Sequence, residues 1–352
     1  MPMRAPGSQL AVLSQSGSTL SFFDLDTGHR THLVDVLPQG HELCFDPTRR
    51  VVYASHTYRS GHYLAHEEKG HEITVVDVDT HAIVEVIDLA PEHAPHGLQL
   101  DPARQLLYVS VEEGPNGPGG LIAVDQTTNK PIDRYSAEAP VPHWAVLTPD
   151  GRKAYTANKK APYISVLDLA DGGQVRRVPV TGSEGLALSP NGSRLFVATP
   201  TFFVPVDPGA EVDIIEVVAV ATDEIVHRIR LSNAPGPVHV TADEKLLVAQ
   251  WPRAADGDGF ETRNGWLSIF DAVSYRPLAE FEVGIGPINI TATPDGATAF
   301  VSNLHSGTVS VIDLHTYQVA DTLEVDRGAQ SPAGQGISNQ GAHGMAFIPP
   351  RH

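Results

Sequence analysis

The sequence predicts an all-β fold, a seven-bladed β-propeller built of four-stranded antiparallel blades. Three observations predict this fold class. An alternating strand that mostly ends in Asp recurs seven times along the 352 residues. The short strands have a period of two and lie between turn residues, and no long stretch has the 3.6-residue period of a helix. Each end of the chain supplies only part of a repeat, and repeats of about 40 to 50 residues with four strands are typical of propeller blades.

The third strand of each repeat is the clearest element, with TVSVIDLHT and EITVVDVDT as typical copies. The seven copies lie at residues 19–27, 72–80, 121–128, 163–171, 213–223, 266–274 and 308–316. Most of them end on an Asp that we interpret as a turn former rather than a catalytic group. These residues are Asp24, Asp77, Asp125, Asp168, Asp271 and Asp313.

The second strands precede these copies and read VVYAS, LLYVS, KAYTAN, RLFVAT, KLLVAQ and TAFVSN. The terminal segments complete the pattern, because residues 9–35 lack a first strand and GMAFIPP at 344–350 is a first strand without followers. We expect the N- and C-terminal strands to share one blade and close the ring, which removes exposed sheet edges. We therefore treat 1–352 as a single propeller domain.

Composition and charge exclude several function classes. The net charge of −18 argues against nucleic acid and anionic membranes as partners. No apolar run of about 18 residues is present to span a bilayer. The single Cys44 excludes an internal disulfide framework. Residues 1–16 lack the features of a secretory signal, so we expect a cytoplasmic protein.

A histidine recurs where the chain enters the first strand of several blades, as in VPHWAVLTPDG at 141–151. In a propeller the first strand lines the central channel and begins at one mouth of it. Our alignment places seven residues at this position: His41, His96, His143, Glu184, His239, Asn289 and His343. Histidine accounts for only 17 of the 352 residues, so five in seven such places is a strong enrichment.

Converging neutral imidazoles predict one bound transition metal ion. The expected ligands are three or four of His41, His96, His143, His239 and His343. A histidine-only set favours iron or copper, with zinc, nickel or manganese as alternatives, and room left over indicates a catalytic ion. Glu184, expected across the channel from the four consecutive histidines, is the predicted catalytic base. The alternatives are that it is an anionic ligand of the metal or a group that orients a ligand. Two other interpretations are a ring of solvated histidines and an anion site made of protonated ones.

Long loops are expected over the same mouth, at residues 55–72, 112–120, 250–265 and 326–342. The first contains four histidines, but their spacing matches no strong metal motif, and we predict a lid. Glu112 or Glu113 is expected to face the mouth. The predicted substrate contacts are Asn289, His56, His305 and Trp251.

The segments LTPDGRKAYTANKKAPYISVLDLAD (147–171) and TATPDGATAFVSNLHSGTVSVIDLHT (291–316) resemble repeats of the YVTN-type β-propeller family. The likeness covers nearly all of the chain and implies the fold. It implies little about activity, since members of this family include scaffolds, lactonases, lyases and metal-dependent redox enzymes. The nitrous oxide reductase and carotenoid oxygenase propellers also hold metals with histidines, but only the location of the site is similar.

The leading hypothesis is a metal-dependent enzyme that acts on a small organic molecule at the histidine-lined mouth. An oxidoreductase is preferred because related histidine-rich propeller centres carry redox metals. A metal-assisted lyase, isomerase or lactonase is the alternative within the same class. A hypothesis of another class is a non-catalytic propeller that serves as a scaffold or binding protein.

Overall fold

The computed structural model describes residues 7–62, 65–202, 204–205, 209–252, 263–326 and 340–351, without the side chains of residues 61, 62 and 65–67. Seven four-stranded antiparallel sheets form the blades of a ring, and none of the described residues is helical. The predicted fold class is therefore confirmed. In this part of the chain, no helical segment has the length and hydropathy needed to cross a bilayer.

Blades are numbered from the first complete sheet, and each set of strands is given from the channel outward. Blade 1 contains β4 (Gly40–Asp46), β5 (Val51–His62), β6 (Ala65–Asp77) and β7 (Ile83–Asp88). Blade 2 contains β8 (His93–Asp101), β9 (Leu106–Gly114), β10 (Gly117–Asp125) and β11 (Lys130–Ser136). Blade 3 contains β12 (Pro142–Leu147), β13 (Lys153–Asn158), β14 (Tyr163–Asp168) and β15 (Val175–Pro179).

The remaining blades follow the same order. Blade 4 contains β16 (Leu186–Leu188), β17 (Arg194–Ala198), β18 (Ile214–Ala219) and β19 (Glu224–Arg230). Blade 5 contains β20 (Ala234–Val240), β21 (Lys245–Trp251), β22 (Asn264–Asp271) and β23 (Pro277–Ile285). Blade 6 contains β24 (Pro287–Ala292), β25 (Thr298–Asn303), β26 (Thr308–Asp313) and β27 (Gln318–Glu324). Blade 7 contains β28 (Ala342–Ile348), β1 (Gln9–Ser14), β2 (Thr19–Asp24) and β3 (Arg30–Asp35).

Blade 7 closes the ring as the sequence predicts. Strand β28 pairs antiparallel with β1, so that Gln9 lies opposite Ile348 and Val12 opposite Met345. Met345 packs with Val12 and with Phe300 of the neighbouring blade in one buried cluster. The pairing leaves β1 without an open edge, which would otherwise be a template for association with other strands.

The hydrophobic core consists of layers between adjacent blades rather than one central mass. The two middle strands of a blade are buried on both faces, as in β26 and β2, whereas the outermost strands β7 and β11 are largely exposed. Tyr53 and Ile73 of blade 1, for example, pack with Val109 of blade 2. This layering explains why second and third strands are almost continuously apolar in the sequence.

The Asp residues after the third strands form turns. The Asp24 carboxylate accepts the backbone N–H of Thr27 at 2.8 Å, and Asp77 accepts that of Thr80 at 2.7 Å. The hydrogen bonds from Thr27 lower the pKa of Asp24. The predicted role of these Asp residues as turn formers is confirmed for Asp24 and Asp77.

Residues 55–72 are not the irregular loop that we expected. Strands β5 and β6 continue beyond the other blades as one long hairpin, in which Tyr58 lies opposite Lys69 and Gly61 opposite His66. Residues 112–120 likewise belong to the hairpin of β9 and β10. Most of the two other predicted loops, 253–262 and 327–339, lies outside the described residues.

Candidate functional site

Six of the seven first strands enter their blades through a β-bulge, where two residues lie opposite one. The register shifts between Gly40 and Leu43 in β4, and between Pro95 and Leu98 in β8. The same shift occurs in β12, β20, β24 and β28. A bulge turns a side chain away from the regular pleat and is frequent beside functional sites. We call the first of the two bulged residues the slot residue.

The register assigns one slot residue to every blade. From blade 7 through blade 6 these are His343, His41, His96, His143, Glu184, Gly236 and Ile288. In blade 4, which has a shorter first strand, Leu186 pairs with Val197 as Ala145 pairs with Thr156 in blade 3, so that Glu184 matches His143. Five of the seven predicted positions therefore occupy equivalent places in the ring.

Two predicted positions are wrong in register. His239 lies three residues beyond the slot residue Gly236 and pairs with Leu247. Asn289 is the second residue of its bulge, after Ile288. Both line a separate cavity of about 330 Å³ further along the channel, so His239 does not join the other four histidines. The four remaining candidates come from the consecutive blades 7, 1, 2 and 3.

The four slot histidines lie against one another. The ring centroid of His41 is 4.5 Å from that of His343 and 5.3 Å from that of His96. His96 and His143 are the tightest pair, with centroids 3.6 Å apart. All four side chains are buried. As placed, no group of three or more His, Cys, Asp or Glu side chains in the described part of the chain is arranged to hold a metal ion.

Acceptors lie beside the Nδ1 atoms of three slot histidines. Nδ1 of His41 is 2.9 Å from the carbonyl oxygen of Gln39. Nδ1 of His143 is 3.6 Å from Oε1 of Glu184. Nδ1 of His343 is 3.6 Å from Oε1 of Glu42, a carboxylate that the sequence analysis missed. Of these three acceptors only the Gln39 carbonyl is within hydrogen-bond distance, and it favours the His41 tautomer whose Nε2 lone pair is available.

Burial keeps these imidazoles neutral. It lowers the pKa of His41 to about 3 and holds the pKa values of His96 and His143 well below the ordinary range, with neighbouring positive groups adding to the effect. Burial raises the pKa of Glu184, which the nearby Lys159 opposes. Glu184 is not across the channel from the histidines, as we expected, but directly beside His143.

A cluster of lysines at the mouth was also missed. The ammonium of Lys159 lies 3.4 Å from Nε2 of His143 and 3.6 Å from Oε1 of Glu184. Lys159 and Lys160 directly follow the second strand of blade 3. The adjacent pair in a lysine-poor sequence was the signal that could have identified them.

The slot residues open into a pocket of about 300 Å³. Its lining also includes Tyr58 and Glu112, from the two long hairpins, and Trp144. The Tyr58 hydroxyl donates to Oε2 of Glu112 at 2.9 Å, so the prediction that Glu112 or Glu113 faces the mouth holds for Glu112. Trp144 packs on the cluster between blades 3 and 4 and also borders the pocket.

Three predicted substrate contacts are buried beside the pocket rather than in its lining. Trp251 is 1% exposed, and its indole N–H donates to the carbonyl oxygen of Pro287 at 2.6 Å. His56 is 1% exposed, with Nε2 2.8 Å from the Thr74 hydroxyl and Nδ1 3.2 Å from the Pro38 carbonyl. His305 is 6% exposed and packs against Gly286. These side chains stabilise the walls of the blades.

Comparisons with known proteins agree on the fold alone. No protein-family model matches the chain, and no curated protein sequence matches it. The propeller is similar to a solved structure of Kuenenia stuttgartiensis hydrazine synthase, with a TM-score of 0.69 and 17% identity over 89% of this chain and 97% of that chain. It is also similar to a functionally unknown protein from Desulfotomaculum acetoxidans, with a TM-score of 0.69 and 13% identity over 97% of this chain and 99% of that chain.

Proposed function

We propose that this chain is a metal-dependent enzyme, in first place an oxidoreductase, that acts on a small organic molecule in the mouth pocket. One transition metal ion would be held by three or four of the slot histidines His41, His96, His143 and His343. The observation that carries the proposal is that four buried imidazoles from consecutive blades lie close to one another at the mouth of the channel. The Gln39 carbonyl at Nδ1 of His41 is a partner of the kind that orients metal-binding imidazoles and leaves Nε2 for the ion. Nε2 of His143 is 3.4 Å from the Lys159 ammonium, which would have to move before this imidazole could bind the ion.

The spacing of the rings is compatible with a shared ion after side-chain rotation. A metal–nitrogen bond of about 2.1 Å places an imidazole centroid roughly 3.2 Å from the ion, so two ligand centroids lie at most about 6.4 Å apart. The ring centroid of His41 lies within this limit of those of His343 and His96, at 4.5 and 5.3 Å. The centroids of His343 and His96 are 6.5 Å apart, just beyond the limit, so a shared ion requires their side chains to rotate. The low pKa values favour neutral imidazoles, the form that binds metals.

Glu184 is the proposed proton-transfer group. Its Oε2 atom is buried and has no hydrogen-bond partner, while Oε1 lies beside His143. Burial raises its pKa, which makes the carboxylate a better base than an exposed glutamate. Iron or copper in the site would supply redox chemistry, and zinc, nickel or manganese would supply Lewis-acid chemistry.

A metal-assisted lyase, isomerase or lactonase is the second candidate. It is favoured by the buried carboxylates Glu112 and Glu184 and by the Lys159 ammonium, which are acid–base groups beside the same pocket. Consumption of oxygen by the metal-loaded protein in the presence of small organic acids would favour the oxidoreductase. Turnover without oxygen and without a change in metal oxidation state would favour the second.

The test of the metal site is elemental analysis of protein produced without a histidine tag. We expect one metal ion per chain, and its loss in His96→Ala and in His143→Ala with the circular dichroism spectrum unchanged. His239→Ala is the matched control and should keep the ion, because this imidazole lies in the other cavity. Full stoichiometric metal in both slot variants would overturn the proposed site and leave a non-catalytic binding propeller as the better interpretation.

A further inference from the structure

Lysine is concentrated at this pocket. The chain contains six lysines: Lys69, Lys130, Lys153, Lys159, Lys160 and Lys245. Three of them, Lys69, Lys159 and Lys160, line the mouth pocket. Half of the lysines thus lie at one pocket, although the chain as a whole carries a net charge of −18.

Lys159 extends inward among the slot residues. Its ammonium lies 3.4 Å from Nε2 of His143 and 3.6 Å from Oε1 of Glu184. Its charge also acts on His41 and Glu112, which belong to other blades. The ammonium therefore lies between the slot residues of blades 3 and 4.

Lys160 occupies the rim instead. Its side chain is exposed and borders the same pocket. Lys69 also lies at the rim, where it is paired with Glu113 on the neighbouring hairpin. Lys159 and Lys160, next to each other in sequence, thus place one positive charge inside the pocket and one at its entrance.

The carboxylates of the pocket already have donors in the protein. Oε2 of Glu42 accepts a hydrogen bond from Asn289 at 2.6 Å, and Oε2 of Glu112 accepts one from Tyr58 at 2.9 Å. Three lysines and three glutamates, Glu42, Glu112 and Glu184, line the pocket, so their formal charges balance. A divalent ion on neutral imidazoles would add two positive charges that no side chain compensates.

Apolar side chains also line the pocket. Ile288, the slot residue of blade 6, is one of them, and Val141 and Trp144 lie on the same blade as Lys159. A volume of about 300 Å³ has room for a small molecule rather than a polymer. The pocket therefore offers both cationic groups and a hydrocarbon surface.

We infer that the substrate of this site is a small organic carboxylate. Its anionic group lies toward Lys159 and Lys160, and its hydrocarbon part lies against Ile288 and Trp144. This inference deepens the proposed function and depends on it for the charge of the metal ion. The two lysines are the proposed specificity-determining residues, because their positive charges attract an anionic ligand more strongly than a neutral analogue of the same shape.

Calorimetric titration with benzoate and its uncharged analogue benzamide tests the inference. We expect benzoate to bind at least tenfold more tightly than benzamide. Lys159→Gln and Lys160→Gln should each weaken benzoate binding by about tenfold and leave benzamide unchanged. Lys130→Gln is the control, because Lys130 is an exposed residue of the outer strand β11.

Equal affinity for benzoate and benzamide, or no effect of either lysine variant, would overturn the inference. So would the absence of binding by benzoate, glutarate and lactate at millimolar concentrations. Since Lys160 is exposed, its variant keeps the test valid even if Lys159→Gln fails to fold. Running the titrations on metal-free and metal-loaded protein separates the two proposals. Benzoate preference without any metal binding contradicts only the proposed function, whereas stoichiometric metal without benzoate preference contradicts only this inference.

Discussion

The two sides of the propeller mouth share one backbone geometry and differ in chemistry. Blades 7, 1, 2, 3 and 4 place four histidines and Glu184 at the slot, whereas blades 5 and 6 place Gly236 and Ile288 there. We call these the polar side and the apolar side. The bulge occurs on both sides, so it is a property of the fold and not of the site. What the residues at this position can do is decided by the side chain alone.

The apolar side has a packing role that the polar side lacks. A Cβ atom added to Gly236 would lie 2.7 Å from the Trp251 ring, so the tryptophan occupies the space that a slot side chain would need. Trp251 packs with Ile288 and Leu304 in a small buried cluster. The polar side instead leaves buried donors and acceptors without partners, such as Nδ1 of His96 and Oε2 of Glu184. Buried polar atoms of this kind are costly for folding and are frequent where function requires them.

Removing residues 343–352 should have the largest effect, because it deletes most of β28 together with His343. The deletion exposes the edge of β1 and the cluster around Val12. We expect the cooperative thermal transition to disappear, as measured by scanning calorimetry. Removing only residues 349–352, which follow β28, is the control and should preserve the transition. An unchanged transition in the longer deletion would show that the ring does not depend on this pairing.

Ile288→Ala tests the apolar side. It leaves a cavity beside Trp251 and Leu304, and it should lower the free energy of unfolding by about 2–3 kcal/mol. Metal content per folded chain should stay the same, since Ile288 has no donor atom. Urea denaturation and elemental analysis provide the two measurements. A loss of metal with unchanged stability would contradict the division between the two sides.

Glu184→Gln tests the polar side. The amide keeps the shape of the side chain but loses the charge beside Nδ1 of His143. We expect metal affinity to fall by about 10–100-fold, measured by competition with a chelator, with little change in stability. The matched control for metal affinity is Glu216→Gln. Glu216 is a buried glutamate of blade 4 that is paired with Arg228 rather than with a slot histidine. Equal metal affinity in wild type and Glu184→Gln would show that this carboxylate does not support His143.

His239→Gln should have the smallest effect, visible only in its pH dependence. Burial lowers the pKa of His239 to about 4 in the folded chain, against about 6.5 when unfolded. Below pH 6.5 the unfolded chain therefore binds a proton that the folded chain does not, so wild type loses stability as the pH falls toward 4. Relative to wild type, the variant should gain roughly 1–2 kcal/mol between pH 7.5 and 5 in denaturation experiments. A constant difference across this range would contradict a buried neutral imidazole.

The repeats made the blades and their closure predictable from sequence, because strand alternation and the turn residues agree throughout. The slot was found correctly wherever a histidine follows Gly, Ala or Pro at the strand entrance, as at His41, His96 and His143. The prediction failed in blade 5, where His239 lies three residues beyond the slot residue Gly236. The correct slot residue lies five positions before the first residue of the turn that follows the first strand. Thr148, which bonds to Asp150, leads to His143, and Thr241, which bonds to Asp243, leads to Gly236.

The remaining parts of the site depend on contacts between distant segments. Glu42 approaches His343 although 301 positions separate them, and Asn289 donates to Glu42 from a third blade. Lys159 reaches Glu184 across a blade boundary. No local pattern carries such information. Sequence reasoning therefore identified which residue types surround the mouth more reliably than which side chains face one another.

The position of His343 in β28 has a consequence for biosynthesis. His41, His96 and His143 leave the ribosome early, whereas their fourth neighbour belongs to the last strand of the chain. Because β28 must pair with β1 before His343 can approach His41, the complete group of imidazoles forms only after translation of the ring has ended. A nascent chain thus lacks the complete group of four imidazoles until the ring has closed.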